Sequence, residues 1–287
     1  MRIQTIETGV FRLDGGAMFG VVPKTLWARQ NPPDADNLCT WSMRCLLVQT
    51  GQRNILIDTG IGVKQDDTFR RHFRPEGQSV FLPNLLSAGV APDEVTDVLL
   101  THLHFDHVGG ALQRSDDGTF VPTFPNATYW TNSRHLKWAT HPNAREAASF
   151  LPENFLPLQA LGRLKVLEPS KEDVEWLPGI TLRFVYGHTE AMMLPILHQA
   201  GQRFIYCADL IPSSHHINLP YVMAYDIRPL QTLEEKERLL REAAADNAVL
   251  IFEHDPVVQA ARVARNAAGK YVVEWRGEWK DPGLGGK

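Results

Sequence analysis

Within seven consecutive residues, Thr101-His102-Leu103-His104-Phe105-Asp106-His107, the chain carries three imidazoles and one carboxylate, and Gly109-Gly110 follows after Val108. Imidazole is the commonest side-chain metal ligand, so residues of these types in this density point to metal binding. Where the backbone is extended, alternate side chains share a face, which lets His102 and His104 reach one ion. Asp106 and His107 fall where the chain must turn and address a second position nearby. The glycine pair lets the backbone bend tightly behind them. The apolar run Val98-Leu99-Leu100 leads directly into the string. Four polar groups at the end of a buried strand are costly unless something pairs them, and a cation does so.

Two imidazoles leave a zinc ion short of ligands, so further donors must come from elsewhere. Downstream, His188 follows the run ending at Tyr186, Asp209 ends FIYCAD, and His254 follows VLIF. Each sits at the carboxyl end of a predicted strand, where open α/β sheets place their active sites. Cys207, two residues before Asp209, reads as a small buried hydrophobe rather than a ligand. The run Glu234-Glu235-Lys236-Glu237-Arg238 has leucines at helical spacing beside it and reads as a solvated helix face.

The elements that must position these groups recur in order. Runs at 43–50 and 54–58, joined by Gly51-Gln52-Arg53, have the pattern of a hairpin, with a helix-like stretch at 81–89 before Val98. Further on, a run at 180–186, a turn with Gly201-Gln202-Arg203, FIYCAD, a helix pattern at 232–245 and Val249-Leu250-Ile251 repeat that order. The two halves look like versions of one unit, which predicts a single four-layer αββα domain over residues 1–287. Three stretches without periodicity, 14–42, 61–80 and 211–229, are long loops, and their aromatic and methionine content favours pocket walls over disorder.

Composition narrows the classes. The 287 residues carry 29 Lys and Arg against 33 Asp and Glu, a formal net charge of −4, which offers nucleic acid no long-range attraction. Three cysteines, Cys39, Cys45 and Cys207, imply a reducing compartment and no disulfide framework. The start lacks a basic segment followed by an apolar run, and no eighteen apolar residues occur consecutively, so the reading is cytoplasmic and without membrane attachment. Histidine, at eleven, is the unusual count.

His102, His104, Asp106, His107, His188, Asp209 and His254 together resemble the complete metal-ligand set of the metallo-β-lactamase superfamily, and Asp58 in Leu56-Ile57-Asp58-Thr59-Gly60 is similar to its first, non-ligand motif. The resemblance spans residues 46–254. The stretch Gly15 to Lys24, with Trp27 after it, looks like the branch of quorum-quenching lactonases and methyl-parathion-hydrolase-like enzymes. The resemblance implies a stacked αββα fold with two divalent ions per chain, zinc as the expected metal, and a homodimer. His102, His104 and His188 would hold one ion, Asp106, His107 and His254 the other, and Asp209 both; Asp58 would orient ligands.

That site implies a hydrolase whose metal-bridging hydroxide opens a lactone ring, N-acyl homoserine lactones first, with Asp106 carrying the proton to the leaving alkoxide. Phosphotriesters and aryl esters are the alternative substrates, and a metal-binding regulatory protein is the non-enzyme alternative. Many acyl-homoserine-lactone lactonases have a tyrosine three residues after the bridging aspartate, where this chain has Pro212. The small-molecule pocket is expected to draw on Met18, Phe19, Trp27, Phe69, His215, His216, Tyr221 and Met223, with Tyr225 a further replacement for that tyrosine.

Overall fold

The computed structural model describes residues 1–277; the last ten residues of the 1–287 domain predicted above lie outside them. The described chain divides into two compact units, one of residues 1–11 and 42–169, the other of residues 12–41 and 170–277.

The first unit is built on a six-stranded sheet. Its strands are β1 (Arg2–Asp14), β2 (Leu38–Gln49), β3 (Asn54–Ile57), β4 (Asp97–Leu99), β7 (Thr128–Asn132) and β8 (Leu164–Leu167), side by side in that order; β5 (Leu112–Arg114) and β6 (Phe120–Pro122) form a separate ribbon. The Gly51-Gln52-Arg53 turn makes β2 and β3 an antiparallel hairpin, while β3, β4, β7 and β8 run parallel. Leu47, Leu56 and Val98 join Leu85, Phe124 and Phe155 in one buried core. Ile55, Ile57 and Leu99, alternating with them, are also fully buried. Strands covered on both faces become continuous apolar runs, which is why they read so plainly in the sequence. Parallel β3 and β4 end at the same edge, delivering Asp58 beside Thr101 and His102.

The second unit carries a seven-stranded sheet. Its strands are β9 (Val174–Leu177), β10 (Ile180–Val185), β11 (Met192–Gln199), β12 (Gln202–Tyr206), β13 (Val249–Ile251), β14 (Ala260–Arg265) and β15 (Tyr271–Gly277), adjacent in chain order. The run at 180–186 is β10, and the strand paired with β12 across the Gly201 turn is β11, absent from the elements expected above. Its Met192-Met193-Leu194-Pro195 start has neither alternation nor turn residues to mark it. β10 and β12 are each antiparallel to β11, and β13 is parallel to β12, so β10, β12 and β13 all end at one edge. His188, Asp209 and His254 leave the sheet there. The parallel pairs β3–β4 and β12–β13, each preceded by a hairpin, give the two halves the same local order.

The helix Pro229–Asp246 packs on β14 and buries Leu239, Leu240 and Ala243. Its charged run is not a uniformly solvated face. Glu234 and Arg238 are exposed, but Lys236 is fully buried, its ammonium donating to the carbonyls of Asn218 and Tyr221. The long loops also contain order: short helices at Gly15–Phe19, Lys24–Trp27 and Asp67–Phe73, and a 3-10 turn at Ser214–Ile217. Cys39, Cys45 and Cys207 are free and buried. Among the described residues no helix is long and apolar enough to cross a membrane.

Candidate metal centre

The first unit packs three imidazoles tightly. The His102 ring lies 3.9 Å from that of His107 and 4.5 Å from that of His104, centroid to centroid, and all three side chains are buried. Asp58 organises two of them. It sits after β3 in the left-handed region, at φ 59°, with its amide donating to Leu99 O. One carboxylate oxygen accepts the Thr101 amide at 2.7 Å. The other accepts the Thr101 hydroxyl at 2.7 Å and faces His107 Nδ1 at 3.1 Å.

These partners fix the tautomers. A carboxylate only accepts, so His107 Nδ1 carries the proton and its Nε2 lone pair is left for a cation. The Thr101 hydroxyl has spent its one hydrogen on Asp58, so it accepts from His102 Nδ1 at 3.1 Å, and His102 too presents Nε2. Asp106 lies in the first turn of the short helix Phe105–Val108 and stands 3.7 Å from His107 Nε2. Behind the helix, Gly109 and Gly110 press against the backbone of Ile61 and Thr59, where a Cβ on either would collide with a carbonyl.

Two more residues of this unit grip the string, and neither was apparent in the sequence. The Leu103 amide, between His102 and His104, donates to His135 Nε2 at 2.8 Å; Asn132 caps the helix that carries His135. Glu146, 3 % exposed, faces His104 Nε2 at 3.7 Å.

The second unit holds a complementary cluster. Asp209, on a 3-10 turn after β12, lies 3.1 Å from His188 Nε2 and 2.9 Å from His254 Nε2. His188 Nδ1 donates to the buried Asp226 at 2.8 Å, a partner with no signal in the sequence. Burial disfavours the charged His188 ring, but the Asp209 and Asp226 carboxylates outweigh it and hold its proton up to about 10. Two carboxylates and two imidazoles buried this closely form an electronegative site. Its donor chemistry suits a divalent cation in place of that proton.

The predicted pocket residues fall into two groups. In the second unit Phe19 stacks on Trp27 at 5.2 Å and on His216 at 5.0 Å, and meets Tyr221 edge-on at 6.0 Å. His216 Nε2 donates to Met18 O, so its Nδ1 accepts from Ser213 Oγ; buried, it stays neutral, its pKa pressed down to about 3. Met223 is buried next to Ala224, whose amide donates to Ala17 O. His215 is half-buried and Tyr225 exposed, while Pro212 accepts the His254 amide through its carbonyl. In the first unit Phe69 packs against Phe73 and, edge-on at 5.1 Å, against Phe105 of the histidine string. Cys207 is fully buried with its thiol pKa raised by desolvation, the state of a packing residue.

A profile of the metallo-β-lactamase superfamily matches residues 44–254. The chain is 26% identical over 237 residues to the N-acyl homoserine lactonase AiiA of Bacillus thuringiensis subsp. kurstaki, covering 76% of this chain and 82% of that one. Among solved structures it is similar to a probable metal-dependent hydrolase from Staphylococcus aureus, with a TM-score of 0.86, 27% identity, and 97% and 96% of the two chains covered. It also shares the fold of AidC, a dizinc quorum-quenching lactonase solved with its product, at a TM-score of 0.75 and 20% identity, with 95% and 94% covered.

Proposed function

The chain belongs to the metallo-β-lactamase superfamily and is a metal-dependent hydrolase, and from that premise we propose that it opens lactone rings, N-acyl homoserine lactones first among them. We further propose that it holds two divalent ions, zinc as the expected metal. His102, His104 and His188 would ligate one, Asp106, His107 and His254 the other, and Asp209 both. The observation that carries this reading is the donor set itself, buried at the strand ends of each unit with the tautomers of His102, His107 and His188 fixed by their partners, in a chain whose curated relatives are lactonases.

Bound ions supply Lewis-acid polarisation of a carbonyl and a water acidic enough to attack at neutral pH. The chain's own residues do the rest. Asp58 and Asp226 keep the Nδ1 protons of His107 and His188 in place, so both rings present Nε2. Asp106, 7% exposed, takes the proton of the attacking water and hands it to the alkoxide as the ring C–O bond breaks. Met18, Phe19, Trp27, Phe69, His215, His216, Tyr221 and Met223 support the walls of the substrate pocket. Three free buried thiols favour a reducing, cytoplasmic setting.

Pro212 supplies no hydroxyl to a lactone, and this keeps aryl phosphotriesters and aryl esters as the second reading. The test is a panel on zinc-loaded protein: acyl-homoserine lactones of graded chain length beside an aryl phosphotriester and an aryl ester. We expect lactones to give the highest kcat/KM, and Asp209→Ala to lose bound metal and at least about 100-fold in kcat/KM. Phosphotriester turnover above that of every lactone would overturn the substrate assignment, and full activity in Asp209→Ala the bridging role.

A further inference from the structure

Glu146 lies outside every motif of the histidine string, yet its side chain is aimed at that string. It sits in the turn after the helix Ser133–Thr140, where Phe105 donates its amide to Ser149 O and Phe150 packs 4.7 Å from the His104 ring. The carboxylate is held from one side. Oε2 accepts from Trp138 Nε1 and from Asn143 Nδ2, both at 2.7 Å, which turns Oε1 toward His104 Nε2 at 3.7 Å. Carboxylate and imidazole are both buried, at 3% and 6% exposure, and a buried carboxylate is retained only where hydrogen bonds and positive charge compensate it.

We propose that Glu146 is a positioning residue for the metal centre: its negative charge, 3.7 Å from His104 Nε2 and beyond hydrogen-bond reach, favours the ring proton on that nitrogen and leaves Nδ1 as the donor His104 offers a cation. His104 would then differ from His102 and His107, whose protons sit on Nδ1 against Thr101 and Asp58. The difference has a geometric root. His102 and His107 are anchored from the β3 side by Asp58, whereas His104 is anchored from the opposite end of the string by the Trp138–Asn143–Glu146 cluster. With His135 accepting the Leu103 amide, the segment after β7 controls the middle of the string as Asp58 controls its ends. Carboxylates placed behind ligating imidazoles typically change metal affinity by roughly 10–100-fold.

This rests on the metal reading of the previous section but not on the lactone assignment, and its test uses no substrate. Zinc and cobalt affinities of the full chain are measured by chelator competition, and the visible spectrum of the cobalt form is recorded, for wild type, Glu146→Gln and Trp138→Phe. Glu146→Gln keeps the size and one oxygen to accept from Trp138 and Asn143, but removes the charge and turns an amide NH2 toward His104. We expect it to weaken one of two bound ions by roughly 10–100-fold and to shift the cobalt bands, with the metal-free unfolding midpoint close to wild type. Trp138→Phe keeps the charge and should weaken binding only a few-fold. Unchanged affinity and spectrum in Glu146→Gln, or equal losses in both variants, would overturn the proposal. Failure of the wild-type chain to bind metal would overturn it together with the metal reading, while failure on lactones alone leaves it standing.

Discussion

His188 shows how a single residue couples the site to pH. Its ring lies between two carboxylates, Asp209 at Nε2 and Asp226 at Nδ1, and its proton is held up to about 10 against an ordinary value near 6.5. Without a cation, the ring therefore carries both protons at pH 7 to 8. An ion held by His188 as proposed would need the Nε2 lone pair, so loading would expel that proton, and affinity should rise with pH until about 10 and fall as acid is added. The expected outcome is release of close to one proton from this ring per chain fully loaded with zinc at pH 7.5, with less in Asp226→Asn, where one carboxylate is gone. Calorimetric titration of zinc in two buffers of different ionisation enthalpy measures it. Equal proton release from the two proteins would show that Asp226 does not set the His188 proton. The histidines of the site were legible in the sequence because strand ends place them after unmistakable apolar runs. Asp226, Thr101, His135 and Glu146 were not: each acts through a partner brought to it by the fold or by a hydrogen bond that no spacing encodes.

At the scale of elements, the helix Pro229–Asp246 serves the second unit's edge as a bracket. Glu235 accepts the Tyr186 amide at 2.8 Å and the Gly187 amide at 3.0 Å, the two residues that carry the chain from β10 to His188. Gly187 itself lies so close to Thr232 of the same helix that a Cβ would collide with it. Burial raises the Glu235 pKa, a cost offset by these two amide donors and Gln231. Removing the carboxylate leaves two amides without acceptors, so Glu235→Ala should lower stability by about 1–3 kcal/mol. Glu234→Ala, exposed one position earlier, should stay within about 0.5 kcal/mol of wild type. Urea unfolding of the two variants decides this, and equal effects would show that the Glu235 bracket adds no stability. Helical periodicity revealed the helix but not the bracket. Glu234 and Glu235 are the same residue type one step apart, and only the position of the β10 turn distinguishes them.

At the scale of the whole molecule, the chain does not fall into two consecutive segments. It passes between the units after Phe11, after Trp41 and after Pro169, and the first two crossings lie inside β1 and β2, each one continuous strand. Unfolding one unit alone would require breaking both strands midway, severing ladders that extend on either side. We therefore keep the proposal of one domain, and expect the metal-loaded protein to unfold in a single transition, with near-ultraviolet and far-ultraviolet circular dichroism superimposing on one curve. If an ion is held by the proposed ligand set, it adds its free energy to the whole transition. Free zinc at 100 times its dissociation constant should stabilise the native state by about 2.7 kcal/mol per site without splitting the curve. Two separated transitions, or a metal-dependent shift in only one of two probes, would mean that the units fold independently and that the recurring order of elements reflects two domains. The order itself was readable from Gly51-Gln52-Arg53 and Gly201-Gln202-Arg203. Crossings inside a strand were not, because β1 and β2 are strands throughout their length and nothing in the local pattern changes where one unit gives way to the other.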